Sequence, residues 1–192
     1  MISLKKEIAK YSNLLYSKGL VGAAGGNVSA RYKDLYLITA GGVSLRDVTE
    51  NDIIIMDKEG SIVEGKSGLK PSKESKLHIN VYKNRQDIDS VIHVHPAYTT
   101  GFSIKKMPVP IVTASSKLKL RQVPLVKYAD PGSEKLARYV DECIKNSPLY
   151  IKAITLESHG IIAFAKGMKN CFDIAELVEE TAKIAFISKN IS

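Results

Sequence analysis

Two pairs of apolar segments in this chain are joined by connections so short that each pair can only fold back on itself. Residues 53–57 and 61–65 are separated by Lys58-Glu59-Gly60, and residues 153–157 and 160–165 by Ser158-His159. A parallel crossover needs a dozen or more residues, so both pairs are read as antiparallel hairpins. Helical patterns stand between and around them. Residues 3–18 repeat apolar side chains at Leu4, Ile8, Tyr11, Leu14 and Leu15 and stop at Gly19. Pro71-Ser72 opens a helix running to about Asn84, and Asp130-Pro131-Gly132-Ser133 opens another over 133–145. Short helical spacing covers 97–104, and a last helix over 170–189 carries Phe172, Ala175, Val178, Ala182 and Ala185. Strands are expected at 36–39 and 90–95, with extended pieces near 109–113 and 122–127; GAAGGNVSAR (22–31) reads as a glycine-rich loop. The expected architecture is an α/β fold: a single layered domain over 1–192, with a mixed, largely antiparallel central sheet flanked by helices.

Composition sets the class. With 44% hydrophobic and 25% charged residues the chain matches soluble globular proteins, and no apolar run approaches the ~20 residues of a membrane span. Its N-terminal segment carries scattered lysines and no small-residue cleavage site, so it reads as a helix rather than a signal peptide. The two cysteines, Cys143 and Cys171, fall in helical patterns without C-x-x-C spacing, as buried thiols in a reducing compartment would. A cytoplasmic protein with no membrane contact is expected. The net charge of +8 is spread over the chain, with one denser stretch at Lys105, Lys106, Lys117, Lys119, Arg121 and Lys127. No nucleic-acid motif accompanies it and aromatics are few, so nucleic acid is not the expected partner; a basic surface can equally attract a small anion such as a phosphorylated metabolite, and the charge balance alone does not separate the two readings.

Three of the four histidines carry the chemical signal. His93-Val94-His95 lies in the apolar run SVIHVHP, and strand alternation sends both rings to one face. With His159, in the Ser158-His159-Gly160 turn, these would give three neutral nitrogens and an open position, the pattern of a catalytic zinc. Glu74, in the first turn of the helix opened by Pro71-Ser72, reads either as fourth ligand or proton acceptor, or as a helix-stabilising glutamate. His78 shares its face and reads as a packing or surface residue outside the site. Two glycine-rich loops, Gly25-Gly26-Asn27-Val28-Ser29 and Ala40-Gly41-Gly42, offer backbone N–H groups for an anion, and Asn27, Ser29, Thr39 and Ser72 add side-chain donors. Neither loop is a dinucleotide fingerprint or a P-loop.

Taken in order, GGNVSAR, TAGG, KPSKES, VIHVHPAY and SHGIIAF resemble the class II aldolase/adducin family, with the nearest likeness to its fuculose-phosphate aldolase branch. The resemblance runs from about Leu14 to Ile187. It implies one zinc per subunit, with manganese or cobalt as substitutes, on His93, His95, His159 and Glu74. Glu74 is also the implied general acid/base. It implies a phosphate cradle from Asn27, the Gly41-Gly42 loop and Ser72, which joins Ser29 and Thr39 from the residue reading, with Lys73 where the family often has a second serine. The implied reaction is reversible cleavage of a ketose 1-phosphate, L-fuculose 1-phosphate or similar, to dihydroxyacetone phosphate and an aldehyde through a metal-stabilised enediolate. Epimerase and dehydratase outcomes share the scaffold, and a non-catalytic adducin-like module is the reading if the ligands were absent. A homotetramer is implied as well. The family branch places a tyrosine on a tail beyond the last helix; within this chain Tyr98 and Tyr128 stand in for it as candidates.

Overall fold

The computed structural model describes residues 1–191 as three layers, helix on sheet on helix. The sheet has eight strands: β1 (Asn27–Tyr32), β2 (Leu35–Thr39), β3 (Ile53–Met56), β4 (Ile62–Glu64), β5 (Ser90–Val94), β6 (Leu125–Val126), β7 (Ala153–Leu156) and β8 (Gly160–Ala165). Their spatial order is β4-β3-β2-β1-β5-β8-β7-β6. Every neighbouring pair is antiparallel except β6 with β7. Both hairpins read from short connections are present, and the mixed, largely antiparallel sheet is the one expected.

Six helices cover the faces: α1 (Ile2–Ser17), α2 (Ser75–Asn84), α3 (Ala97–Ile104), α4 (Ala114–Lys119), α5 (Glu134–Lys145) and α6 (Met168–Lys189). Alternate strand residues feed two separate apolar cores. On one face Val28, Ile92, Val94, Ile161 and Ala163 pack with Ile8 and Leu15 of α1 and Ala175 and Val178 of α6. On the other, Ile38, Val91, Ile154 and Ile162 pack with Leu77 and Val81 of α2 and Val140 and Ile144 of α5. Helix α5 begins as its sequence requires, with the Ser133 side chain accepting from the Leu136 N–H at 3.1 Å. No helix among the described residues is long and apolar enough to cross a membrane.

Three expectations need correction. Residues 22–31 are not all loop, because Asn27–Tyr32 forms β1 at the centre of the sheet, between β2 and β5. Helix α2 starts at Ser75 rather than at Pro71-Ser72: Pro71 is held extended by a bridge to Ala40, and Glu74 occupies the cap position instead of the first turn. Helix α4, closed by a Thr113–Ser116 capping box, lies in a stretch given no helix from sequence.

Candidate metal centre

Four segments meet at one end of the central strands. β5 is buried along its whole length, as its β-branched composition favours, and it carries His93 on the α2 side of the sheet beside Val91. The strand ends at Val94, so His95 lies just beyond it, before Pro96 caps α3. His159 comes from the β7–β8 hairpin. There Ser158 adopts a left-handed backbone (φ 58°), its N–H donates to Ser103 Oγ at 3.0 Å, and the His159 N–H closes the turn on the Leu156 carbonyl at 3.1 Å. Glu74 reaches in from the start of α2.

The four side chains converge. One donor atom from each of Glu74, His93, His95 and His159 lies within 4.8 Å of the other three. His93 Nε2 is 3.0 Å from His95 Nε2 and 3.1 Å from Glu74 Oε2, and His159 Nε2 is 3.2 Å from Glu74 Oε1. On its far side the His93 ring donates Nδ1–H to the Ile161 carbonyl at 2.8 Å, which turns Nε2 inward toward the other donors. Several lone pairs and a carboxylate do not face one another at such distances bare; a positive charge, a proton or a metal ion, must sit among them. Glu74 Oε1 and His159 Nδ1 are buried without a hydrogen-bond partner, so the 3.2 Å approach of His159 to Oε1 is a misaligned contact that a shared cation would satisfy. Three imidazoles and one carboxylate are also the donor set that a divalent ion of borderline softness prefers. The residues therefore fit a metal.

The electrostatics agree. Burial, then the electrostatic influence of His93, pushes His95 down to about 4, and the same two causes push His159 down to about 4. Both rings are thus neutral and able to ligate at pH 7. Burial raises Glu74, but the His93 hydrogen bond, electrostatic attraction toward His93 and His159 and the Asn27 amide outweigh it and bring the carboxyl down to about 2.

Two glycines make room for the His95 ring. A β-carbon at Gly25 would stand 2.8 Å from His95 Nδ1, and one at Gly160 would stand 2.9 Å from His95 Cδ2 and 2.2 Å from the Val94 carbonyl oxygen.

The residues expected to cradle a phosphate separate into two groups. Gly41 packs on the Pro71-Ser72 backbone, with its N–H donated to the Lys70 carbonyl at 2.9 Å, so the Ala40-Gly41-Gly42 loop and the Ser72-Lys73 segment lie side by side. Ser72 Oγ accepts from the Glu74 N–H at 3.3 Å, Lys73 is exposed, and Asn27 Nδ2 donates to Glu74 Oε2 at 3.2 Å. Ser29 and Thr39 are internal. Thr39 Oγ1 accepts from the Val28 N–H at 3.2 Å, and Ser29 Oγ is engaged by His78 and Tyr82, with each residue 1% exposed. Neither hydroxyl faces outward toward an anion, because each is bonded within the fold.

His78 is not a surface residue. It is fully buried, with Nε2 2.5 Å from Asn27 Oδ1 and Nδ1 2.6 Å from Ser29 Oγ. Its spacing of four from Glu74 is the one signal in the sequence, and its partners Asn27 and Ser29 come from β1, whose glycine-rich approach hides the strand. Tyr98 packs against Phe186 of α6, away from the donors, whereas Tyr128 is exposed and hydrogen-bonds Asp130, with its N–H on Glu157 two residues before His159. A surface groove bordered by Lys18, Tyr98, Lys119 and Lys183 includes none of the four metal donors. The donor geometry, not groove size, marks the site.

Comparison with known proteins agrees with this geometry. The family model for the class II aldolase and adducin N-terminal domain matches residues 6–186. An L-fuculose phosphate aldolase of Methanococcus maripaludis is 35% identical over 96% of this chain and 97% of its own. A 5-deoxy-D-ribulose 1-phosphate aldolase of Bacillus thuringiensis is 29% identical over 97% of this chain and 86% of its own. A solved L-fuculose 1-phosphate aldolase superposes with a TM-score of 0.89 at 34% identity, covering 98% of this chain and 87% of that one. The chain belongs to the class II aldolase and adducin family, and within it to the aldolases, which are lyases.

Proposed function

We propose that this chain reversibly cleaves a ketose 1-phosphate, L-fuculose 1-phosphate or a close relative, to dihydroxyacetone phosphate and an aldehyde, with zinc as its metal. One observation carries the reading: His93, His95, His159 and Glu74 aim donor atoms at a common point, with the His93 tautomer set by the Ile161 carbonyl. Bound there, a divalent cation supplies Lewis acidity for the negative charge that develops when the carbon–carbon bond breaks, an effect worth several kcal/mol.

The protein's own groups do the rest. Glu74, kept as a carboxylate, takes the proton from the reacting carbon of dihydroxyacetone phosphate in condensation and returns it to that same carbon once cleavage has broken its bond. Around the phosphate, the Gly42 backbone, the Ser72 hydroxyl, the Lys73 ammonium and the second amide proton of Asn27 are the proposed donors, and fixing that end orients the reacting carbons. Similarity to the Bacillus thuringiensis enzyme favours 5-deoxy-D-ribulose 1-phosphate as the second substrate to try. A homotetramer is proposed from the family, and a cytoplasmic location from the free thiols Cys143 and Cys171.

The test is release of dihydroxyacetone phosphate from each sugar phosphate, with and without chelator, beside Glu74→Gln. Chelation should abolish release. At saturating metal, where the three histidines still hold the ion, the variant's kcat should fall at least about 100-fold, as loss of a general acid/base does. Metal-replete protein that releases the product from neither sugar would sink the aldolase reading.

A further inference from the structure

A line of buried polar groups runs from the interior of the α2 layer to the metal centre. Tyr82 OH lies 2.8 Å from Ser29 Oγ, Ser29 Oγ lies 2.6 Å from His78 Nδ1, and His78 Nε2 lies 2.5 Å from Asn27 Oδ1. Asn27 Nδ2 then reaches Glu74 Oε2 at 3.2 Å. All five side chains are buried, and two elements supply the links: α2 gives Glu74, His78 and Tyr82, while β1 gives Asn27 and Ser29. Helix periodicity stacks 74, 78 and 82 along one face, and strand alternation puts 27 and 29 on the facing side of the sheet.

The direction of the line follows from its end. A carboxylate only accepts, so the Asn27 atom facing it must be the amide N–H2. Asn27 Oδ1 then faces His78, whose Nε2 must carry a proton. Burial brings His78 down to about 3, so the ring carries one proton, on the Nε2 that faces Asn27 Oδ1, and its Nδ1 accepts from the Ser29 hydroxyl. Ser29 in turn accepts from the Tyr82 hydroxyl, whose other neighbour, the Asp89 carbonyl, is farther away at 3.5 Å. Every donor points toward Glu74, and bonds arranged head to tail polarise one another. Tyr82 itself is fixed by its stack on Tyr36, with ring centroids 5.0 Å apart and planes within 9°.

We infer that Tyr82, Ser29, His78 and Asn27 act as positioning residues: a one-way hydrogen-bond chain that locks the Asn27 amide with its N–H2 toward Glu74 and so sets the carboxylate for metal binding and proton transfer. Without a donor on His78, the Asn27 amide can turn its oxygen toward Glu74, replacing attraction by repulsion between two acceptors. For its kinetic consequence the inference rests on the aldolase reading; for its effect on the metal it does not.

His78→Phe keeps a ring in the cavity but removes both nitrogens, whereas His78→Gln returns an amide N–H near the place of Nε2. Metal-stripped wild type and variants are titrated with Co2+ against a competing chelator, followed by absorption. The kcat and KM for L-fuculose 1-phosphate and the thermal midpoint are measured alongside. His78→Phe should weaken Co2+ binding by about 10- to 100-fold, the usual cost of losing a group behind a metal ligand. Its kcat should fall by a similar factor with KM little changed, and His78→Gln should recover most of both losses. Ser29→Ala should fall between them. Wild-type Co2+ affinity in folded His78→Phe overturns the inference, as does a folded His78→Gln no better than Phe. If His78→Phe fails to fold, Ser29→Ala decides alone: weakened Co2+ binding supports the chain, and wild-type affinity refutes it. Wild type that binds Co2+ but cleaves no sugar phosphate defeats the aldolase reading only, and the Co2+ titrations still judge the chain.

Discussion

A single added methyl distinguishes what the two glycines beside His95 do. At Gly25 the new carbon meets chiefly the edge of an imidazole, 2.8 Å from Nδ1, and a ring can swing away, while the Gly22 carbonyl oxygen at 3.3 Å needs to give by only a few tenths of an ångström. Gly25→Ala should therefore fold normally but bind Co2+ at least about tenfold more weakly, as a displaced ligand would. At Gly160 the carbon meets the Val94 carbonyl at 2.2 Å, a main-chain atom held by the β5–β8 pairing. Gly160→Ala should cost about 3 kcal/mol, the upper range for overpacking, and lower the thermal midpoint by about 10 °C. Equal thermal midpoints for the two variants would contradict this assignment. The buried histidines give a second prediction. His78 has its pKa lowered from 6.5 to about 3, so the unfolded chain takes up the proton first. Its contribution to stability is whole above pH 6.5 and drains away as pH falls toward 3, at about 1.4 kcal/mol per unit. His95 and His159, lowered to about 4, act in the same direction from 6.5 downward, and Glu74, lowered from 4.5 to about 2, adds its share only below 4.5. The unfolding free energy of metal-stripped protein, measured by urea titration, should drop between pH 7 and pH 5 by about 2 kcal/mol from His78 alone. His78→Phe should remove that share and leave the smaller slope due to His95 and His159.

At the scale of elements, the β7–β8 hairpin concentrates the demand for shape. Ser158 holds a left-handed φ of 58°, which costs a non-glycine residue about 1 kcal/mol, and it does so one residue before His159. Ser158→Gly should keep the metal and raise the thermal midpoint slightly, while Ser158→Val, whose branched β-carbon cannot adopt that backbone, should lose Co2+ binding and stability together. This hairpin was legible in the sequence because its connection allows only one topology, and His159 was legible with it. β1 was not. Its residues Asn27-Val28-Ser29-Ala30 do alternate polar and apolar, but they follow a run of glycines, and Asn and Ser are poor strand formers. The polar face of β1 turns not to water but to His78, Tyr82 and Glu74, a destination that appears only once α2 lies across it. Missing the strand meant missing His78, whose partners are about fifty positions away along the chain. It also left Ser29 among the phosphate donors, since a serine in a glycine-rich loop reads as an anion ligand and a serine under a helix does not. The three metal histidines were legible because the donors of a metal site are chemically rare, whereas hydroxyls and amides are common and mean little before the fold places them.

For the molecule as a whole, the arrangement of apolar cores decides what the metal is for. A structural zinc supplies the folding energy that a small core lacks, and chelation then unfolds the protein. Here each face of the sheet has its own closed core, one under α1, α3, α4 and α6 and one under α2 and α5. The four donors sit at the rim, at strand ends and turns, with backbone pairing complete around them: β5 bonds to β1 and β8 whether or not the histidines hold anything. The metal should therefore add only the linkage term of a ligand that binds the folded state, about 2.7 kcal/mol at a hundredfold excess over its Kd. Stripping the protein with chelator should leave its far-ultraviolet circular dichroism unchanged and lower the thermal midpoint by no more than about 10 °C. Dihydroxyacetone phosphate release should vanish in the same sample and return on adding Zn2+. Collapse of the helical signal on chelation would mean that the ion organises the fold, and the division between a self-sufficient scaffold and a metal-dependent reaction would have to be abandoned.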